Sequence, residues 1–356
     1  MSGSPAALAT AVEARLAELF ETARSDAEPI GPAVVEATDA LAAFVLGGGK
    51  RVRPLFAHAG REVAHATSGA GDHPADDTDE AMIDLGAALE LVQACALVHD
   101  DIIDASATRR GNPTVHRVFA DRHREGRWLG DAGRFGESMA ILIGDLALAW
   151  ADDLAAPLPA RVAPVWSTMR TEVLSGQLLD IANEASRDES LAAAERVIAY
   201  KTAGYTVARP LQLGAVLGGA GDDLVGELRA IGLNLGLAFQ LRDDLLGVYG
   251  DPAVTGKPSG DDLITGKRTV LVAEGFARVT DEQAAALRAS LGTDLDDASL
   301  ARARAILTES GAQAAVENRI DSALSHALAG IESLPTSPQA RESLADLAHR
   351  ITHRAA

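Results

Sequence analysis

An apolar run of helical length that ends in three carboxylates constrains this chain more than any other stretch. Residues 80–104 read as one long helix, and its last turn carries Asp100, Asp101 and Asp104. Positions i and i+4 of a helix share a face, so Asp100 and Asp104 point the same way while Asp101 sits about 100° round. Like charges one turn apart repel by roughly 0.2–0.5 kcal/mol when exposed, and by far more if the apolar run buries them. A divalent cation removes that penalty, and an all-oxygen donor set suits magnesium. Other acid pairs occur, at Asp76-Asp77, Asp152-Asp153, Asp222-Asp223, Asp261-Asp262 and Asp296-Asp297, mostly beside Gly, Pro or Thr. What separates Asp100 to Asp104 is the apolar helix before it and the basic turn after it.

That turn reads Ser106-Ala107-Thr108-Arg109-Arg110-Gly111-Asn112-Pro113-Thr114. Adjacent arginines just beyond a triple carboxylate make sense if a polyanion bridges them, with metal on one side and guanidinium forks on the other; diphosphate is the natural candidate. A second basic stretch, Gly47-Gly48-Gly49-Lys50-Arg51-Val52-Arg53-Pro54, follows a helix expected over 32–46. Its glycines leave backbone amides approachable, and Lys50, Arg51 and Arg53 gather positive charge at the start of the next helix, a favourable place for an anion. A flexible turn with surface cations would look the same. Further along, an apolar helix over 227–249 ends in a second acid pair, Asp243-Asp244.

Composition narrows the classes. Lys+Arg 32 against Asp+Glu 51 gives a net charge of −19, which argues against a nucleic-acid binder, since that needs a positive footprint. An acidic chain that binds a polyanion needs metal or local basic clusters. Ala-rich runs and only 4% aromatic residues favour helices throughout. Cys95 is the sole cysteine, so no disulfide within the chain is possible, as suits a reducing compartment. Charged residues interrupt the N-terminal segment, and no run of eighteen apolar residues occurs; the expectation is a soluble, cytoplasmic protein with no transmembrane segment.

In chain order, GGGKRVRP, DDIID, RRGNPT, KTAGY and FQLRDD resemble the motifs of the trans-isoprenyl diphosphate synthases, over residues 47–268. The resemblance implies an all-α bundle around a deep central cavity, commonly a homodimer, with 29–356 as one helical domain and 1–28 as an N-terminal helix, frayed at its start. It implies magnesium, three ions per site, held by Asp100, Asp104 and Asp243, with Asp101 and Asp244 beside them. Lys50, Arg51, Gln93 and Arg110 would hold isopentenyl diphosphate, with Arg53 a weaker candidate. Arg109, Lys201 and Lys257 would hold the allylic diphosphate, assisted by Lys267 and Arg268. Thr202 and Gln240 would direct oxygen dipoles at the reacting carbon, so Lys201, Thr202 and Gln240 form the catalytic set.

One departure stands out: Gly247 replaces the third aspartate usual in the second motif, which puts that ligand in doubt. His99 next to Asp100 also matches the HD dipeptide of metal phosphohydrolases, but no further ligand set accompanies it, and it reads as a packed or hydrogen-bonded helix residue. Product length follows from the wall below the first motif, where Cys95 and Ala96 are small and Val92 lies a turn deeper. That predicts geranylgeranyl diphosphate, with a longer polyprenyl chain as alternative. A class I terpene cyclase would share the aspartate motifs, yet has no need of a second diphosphate site. A catalytically silent partner subunit is the remaining rival.

Overall fold

A computed structural model describes residues 5–68, 75–251, 260–293 and 295–352. They are helical almost throughout: α1 Pro5–Ala27, α2 Pro32–Leu46, α3 Val52–Ser68, α4 Ala75–Ile103, α5 Val115–Glu125, α6 Ala132–Ala155, α7 Val162–Ser186, α8 Leu191–Val197, α9 Arg209–Leu217, α10 Asp222–Tyr249, α11 Asp261–Ile264, α12 Val270–Phe276, α13 Asp281–Ala289, α14 Asp297–Glu309, α15 Ala312–Ser333 and α16 Pro338–Thr352. A π-helical stretch, Ile198–Ala208, joins α8 to α9 without a break. The hairpin of β1 Thr108–Arg109 and β2 Asn112–Pro113 follows α4. The all-α expectation holds.

The chain divides into two compact units. The first comprises residues 1–166 and 213–219, the second 167–212 and 220–356. In the first unit α4 is the axis. Leu85, Leu89 and Leu91 are wholly buried, with α6 along one flank and α1 and α3 against others. Val12 and Leu16 of α1 recur at helical spacing and are fully buried, so the apolar stripe read from the sequence is the face that packs. In the second unit α10 is the axis, flanked by the π stretch and α15. Ala238, Leu241, Leu245 and Val248 meet Leu271, Val316 and Ile320 in its core. Residues 80–103 and α10 are long and apolar enough to cross a membrane, but 67% and 56% of their apolar windows are buried inside the protein. They are core helices of their own units.

Several boundaries differ from expectation, each for a local reason. Helix α4 begins at Ala75, and α3 runs to Ser68, so residues 66–68 and 75–79 of the expected loop are helical. Helix α6 starts at Ala132 because the Asp131 side chain caps it, accepting from the Arg134 N–H at 2.8 Å. The helix expected over 301–328 is two, α14 and α15, parted at Gly311, whose φ of 80° lies in the left-handed region.

Candidate functional site

In the first unit, α4 delivers its three carboxylates unequally. Asp100 and Asp104 are part-exposed, whereas Asp101 is 1% exposed. Arg109 turns back from β1 to Asp101, with Nε at 2.7 Å and Nη2 at 2.6 Å from Oδ1, and Nη2 lies 3.6 Å from Asp100 Oδ2. The other oxygen of Asp101, Oδ2, is buried without a hydrogen-bond partner. Burial pushes this carboxyl up to about 6; Arg109 opposes the rise, and Asp100 and Asp104 add to it. Arg110 and Gly111, with φ of 53° and 77°, turn the hairpin as a two-residue loop that needs positive φ at both centres. From the turn, Arg110 donates from Nη1 to the Gly48 carbonyl, whereas Arg109 holds Asp101.

Arg110 therefore joins the basic stretch. Burial pulls its pKa below the usual guanidinium value, and Arg109, Arg51 and Arg53 pull the same way against Glu90. The depression comes first from burial, and the three arginines add to it because they lie near Arg110. Lys50 is exposed at its rim. Gln93, on α4 two turns before Asp100, has a buried amide oxygen without a hydrogen-bond partner. Arg51 is placed differently from its neighbours: Nε meets Glu13 at 3.3 Å, Nη1 meets Glu90 at 2.7 Å, and Nη2 donates to the Val45 carbonyl at 2.9 Å. Those bonds use every nitrogen and hold a non-glycine backbone at φ 47°.

Among the wall residues, Ala96 shares the part-exposed face of Gln93 and Asp100, whereas Val92 and Cys95 are buried. Cys95 Sγ lies 3.7 Å from His99 Nδ1, and His99 Nε2 donates to the Ile141 carbonyl of α6 at 3.0 Å. The carbonyl can only accept, so Nδ1 is the acceptor for the thiol. His99 is thus the hydrogen-bonded helix residue expected. Burial, then Asp145, pushes the Cys95 thiol up to about 12.

In the second unit, Lys201 and Thr202 lie inside the π stretch rather than at a helix end. Lys201 Nζ donates to Asp180 Oδ2 of α7 at 2.6 Å. A Cβ on Gly176 would collide with the Lys201 backbone, and one on Gly236 of α10 with Ala203. Glycines on both neighbours accommodate the wider π turn, a form that recurs at functional sites. At the end of α10, Gln240 Nε2 donates to Asp244 Oδ1 at 2.7 Å, leaving the amide oxygen of Gln240 for another partner. Asp244 is 3% exposed, and its Oδ2 is buried without a hydrogen-bond partner. Burial, then Asp262, pushes it up to about 8, with Asp243 adding and Gln240 and Lys267 opposing.

Gly247 has a structural explanation. A Cβ there would collide with the carboxylate of Asp262 from α11, so the space a third aspartate would need is filled by an acid from the next helix. Sequence reading missed Asp262 and, as Lys201's partner, Asp180. The acid pair Asp261-Asp262 was visible, but nothing local ties it to α10. Lys257 lies outside the described residues.

Both acidic faces offer oxygen donors only, and each includes a buried oxygen without a hydrogen-bond partner, which fits a hard divalent cation. Among the described residues, no three acidic, imidazole or thiol side chains converge to hold a metal by themselves. Magnesium bound through one or two carboxylates, with phosphate oxygens and water completing its shell, needs no such cage. The first unit thus presents carboxylates for cations with arginines and Lys50 for anions, and the second presents its own carboxylates with Lys201.

A family model described as polyprenyl synthetase matches residues 35–307. The chain is 43% identical to a crystal structure of geranylgeranyl pyrophosphate synthase from Corynebacterium glutamicum, complexed with isoprenyl diphosphate and magnesium; the match covers 98% of this chain and 99% of that one, with a TM-score of 0.91. It is 32% identical to a geranylfarnesyl diphosphate synthase of Aeropyrum pernix, over 78% of this chain and 80% of the relative. With a heptaprenyl diphosphate synthase component 2 of Geobacillus stearothermophilus it shares 31% identity over 95% and 93%.

Proposed function

The chain belongs to the polyprenyl synthetase family and is an all-trans prenyl diphosphate synthase, and on that premise we propose that it condenses isopentenyl diphosphate with allylic diphosphates, with magnesium, to give geranylgeranyl diphosphate. The observation that carries the reading is the pairing of Asp100 and Asp104, one turn apart on a part-exposed face, with a guanidinium cluster in which Arg51, Arg53 and Arg110 lie close enough to act on one another. A terpene cyclase would have no use for that second cationic site.

In this reading Lys50, Gln93 and Arg110 hold isopentenyl diphosphate, with Arg53 beside them. Arg51, its nitrogens engaged by Glu13, Glu90 and Val45, acts by shaping the loop that presents Lys50. Magnesium held by Asp100, Asp104 and Asp243, with Asp101, Asp244 and Asp262 behind them, would supply positive charge to the departing pyrophosphate. Arg109, Lys201 and Lys257 add to that charge from the protein. The allylic carbon–oxygen bond breaks with its electron pair going to pyrophosphate. The double bond of isopentenyl diphosphate then attacks the allylic carbon, and the proton lost from the adjacent carbon goes to a pyrophosphate oxygen. Thr202 and Gln240 aim oxygen dipoles at the positive charge while it exists. Orientation in a site shielded from water does the rest.

The small Ala96 one turn before Asp100, and the 43%-identical geranylgeranyl synthase, support the twenty-carbon product. The same open position also favours a second reading, a longer polyprenyl product. The test is to incubate the purified protein with magnesium, isopentenyl diphosphate and, separately, dimethylallyl, geranyl and farnesyl diphosphate, and to size the products. A twenty-carbon product from each primer supports the first reading, and a longer ladder the second. No turnover with any primer would overturn both.

A further inference from the structure

Between α5 and α6 the first unit carries a loop, 126–131, whose tip is apolar: Leu129 is 99% exposed and Trp128 48%. The loop is firmly built. His123 Nε2 donates to the Leu129 carbonyl at 3.1 Å. The Trp128 N–H donates to the His123 carbonyl at 3.2 Å, and that of Arg127 to Arg124 at 3.1 Å. The Trp128 ring stands edge-on to His123 and Phe135, with centroids 6.0 and 5.3 Å apart. These bonds hold the loop backbone with the Leu129 side chain projecting into solvent. Trp128 and Leu129 together make a contiguous apolar tip on a preorganised loop, which sets them apart from singly scattered surface residues.

The surrounding charge identifies the partner. Residues 115–135 hold Arg117, Arg122, Arg124, Arg127 and Arg134 against Asp121, Glu125 and Asp131, in a chain whose net charge is −19. Arg122 pairs with Glu36 and Arg124 with Asp121, while Arg117, Arg127 and Arg134 are exposed, as is Val118 beside Arg117. An apolar tip with exposed arginines in the loop and on both flanking helices complements a surface that is anionic outside and apolar beneath. Tryptophan settles at such a boundary, and arginine gains from anionic headgroups.

We propose that the 126–131 loop docks this protein on an anionic lipid surface, with Trp128 and Leu129 entering the interface and Arg117, Arg127 and Arg134 lying on the headgroups. Only its purpose rests on the prenyl synthase reading: a product whose apolar chain grows with each condensation is best released at a lipid surface.

The test places an environment-sensitive fluorophore at the tip through Leu129→Cys; the chain's other thiol, Cys95, is buried, and unsubstituted protein controls for its labelling. Vesicles of phosphatidylcholine are compared with vesicles that also contain phosphatidylglycerol. The expected result is a fluorescence rise with the anionic vesicles alone, abolished by high salt. Trp128→Ser with Leu129→Glu should lower the vesicle-bound fraction by about tenfold, and Arg117→Glu with Arg134→Glu should remove the preference for anionic lipid. Turnover of a short, soluble primer without vesicles should not change, so failure of docking is separable from failure of the activity. The proposal is overturned if the protein does not bind anionic vesicles, or if the tip variant binds as well as the parent. A fluorescence rise that grows with protein concentration without lipid would overturn it too, in favour of a second copy of the chain.

Discussion

Asp101 and Asp244 are both buried at the ends of apolar helices, yet they are neutralised to different degrees. Asp101 has the Arg109 guanidinium against it and rises only to about 6, whereas Asp244 has an amide, with Asp262 and Asp243 nearby, and rises to about 8. For Asp244 the folded value lies above the unfolded one, so over the interval between them the folded state holds a proton that the unfolded state has released. Stability therefore falls as pH climbs from about 4 to about 8, and the loss is complete above that. Asp244→Asn lacks this penalty. In chelator-treated protein its melting temperature should exceed the parent's by a margin that widens from pH 5 to pH 8 and then levels; a constant margin would contradict the burial argument. At Gly247 the sequence shows only the loss of an acid, because the compensating Asp262 reaches that space through the fold and not through helical spacing. If Asp262 supplies the missing carboxylate, Asp262→Gly should raise the magnesium concentration for half-maximal turnover by roughly 10–100-fold. Adding Gly247→Asp, now free of the clash, should recover most of it. Equal defects in the single and double variants would assign Asp262 a packing role.

At the scale of elements, much of the helical skeleton was legible because strong periodicity and end signals coincide: α2 spans the expected 32–46, with proline at its first position and glycine after its last. The π stretch was not legible. A helix with one more residue per turn leaves no mark on an apolar pattern, and the glycines that permit it, Gly176 and Gly236, lie on the neighbouring helices. The face a residue presents on α4 was legible only to within one position. Counting back from Asp100 gives Cys95 and Ala96 equal standing as wall residues, but helical geometry puts Ala96, at i−4, on the Asp100 face and turns Cys95 toward His99 and α6. An aromatic at 96 therefore enters the open side of α4, while one at 95 must first displace packed side chains. Ala96→Phe should shorten the main product by at least one five-carbon unit at near-parental stability. Cys95→Phe should lower the melting temperature, since overpacking costs about 1–3 kcal/mol, and shorten the product only as a secondary effect. Unchanged product length in Ala96→Phe would remove this face of α4 from the wall.

For the molecule as a whole, exposed apolar surface is the feature that the helical units leave unsatisfied. In the second unit Leu174, Leu178 and Ile181 of α7 are 49%, 68% and 39% exposed, and their i, i+4, i+7 spacing makes one stripe; in the first, Ile141 and Leu142 of α6 are 47% and 61% exposed. A stripe of this kind, on the side of α7 away from its buried Trp166, Met169 and Val173, is unfavourable in water unless another surface covers it. The homodimer that the motifs suggest would cover it, because a twofold axis lets the same stripe serve as both halves of an isologous contact. A stable contact of that type buries roughly 1,200–2,000 Å² in total, more than the three side chains of the stripe supply, so polar neighbours must join the rim. A charge at the centre of the stripe then has to be desolvated twice per dimer, once from each copy. Leu178→Glu should accordingly shift the species seen by size-exclusion chromatography with light scattering from twice the 36.9 kDa chain mass to the monomer, with the helical content of each chain retained. Leu174→Glu should do the same, whereas a glutamate at Leu129, on the loop assigned to lipid, should leave the mass unchanged. A dimer that survives Leu178→Glu would place the contact on another face and leave the α7 stripe without a role.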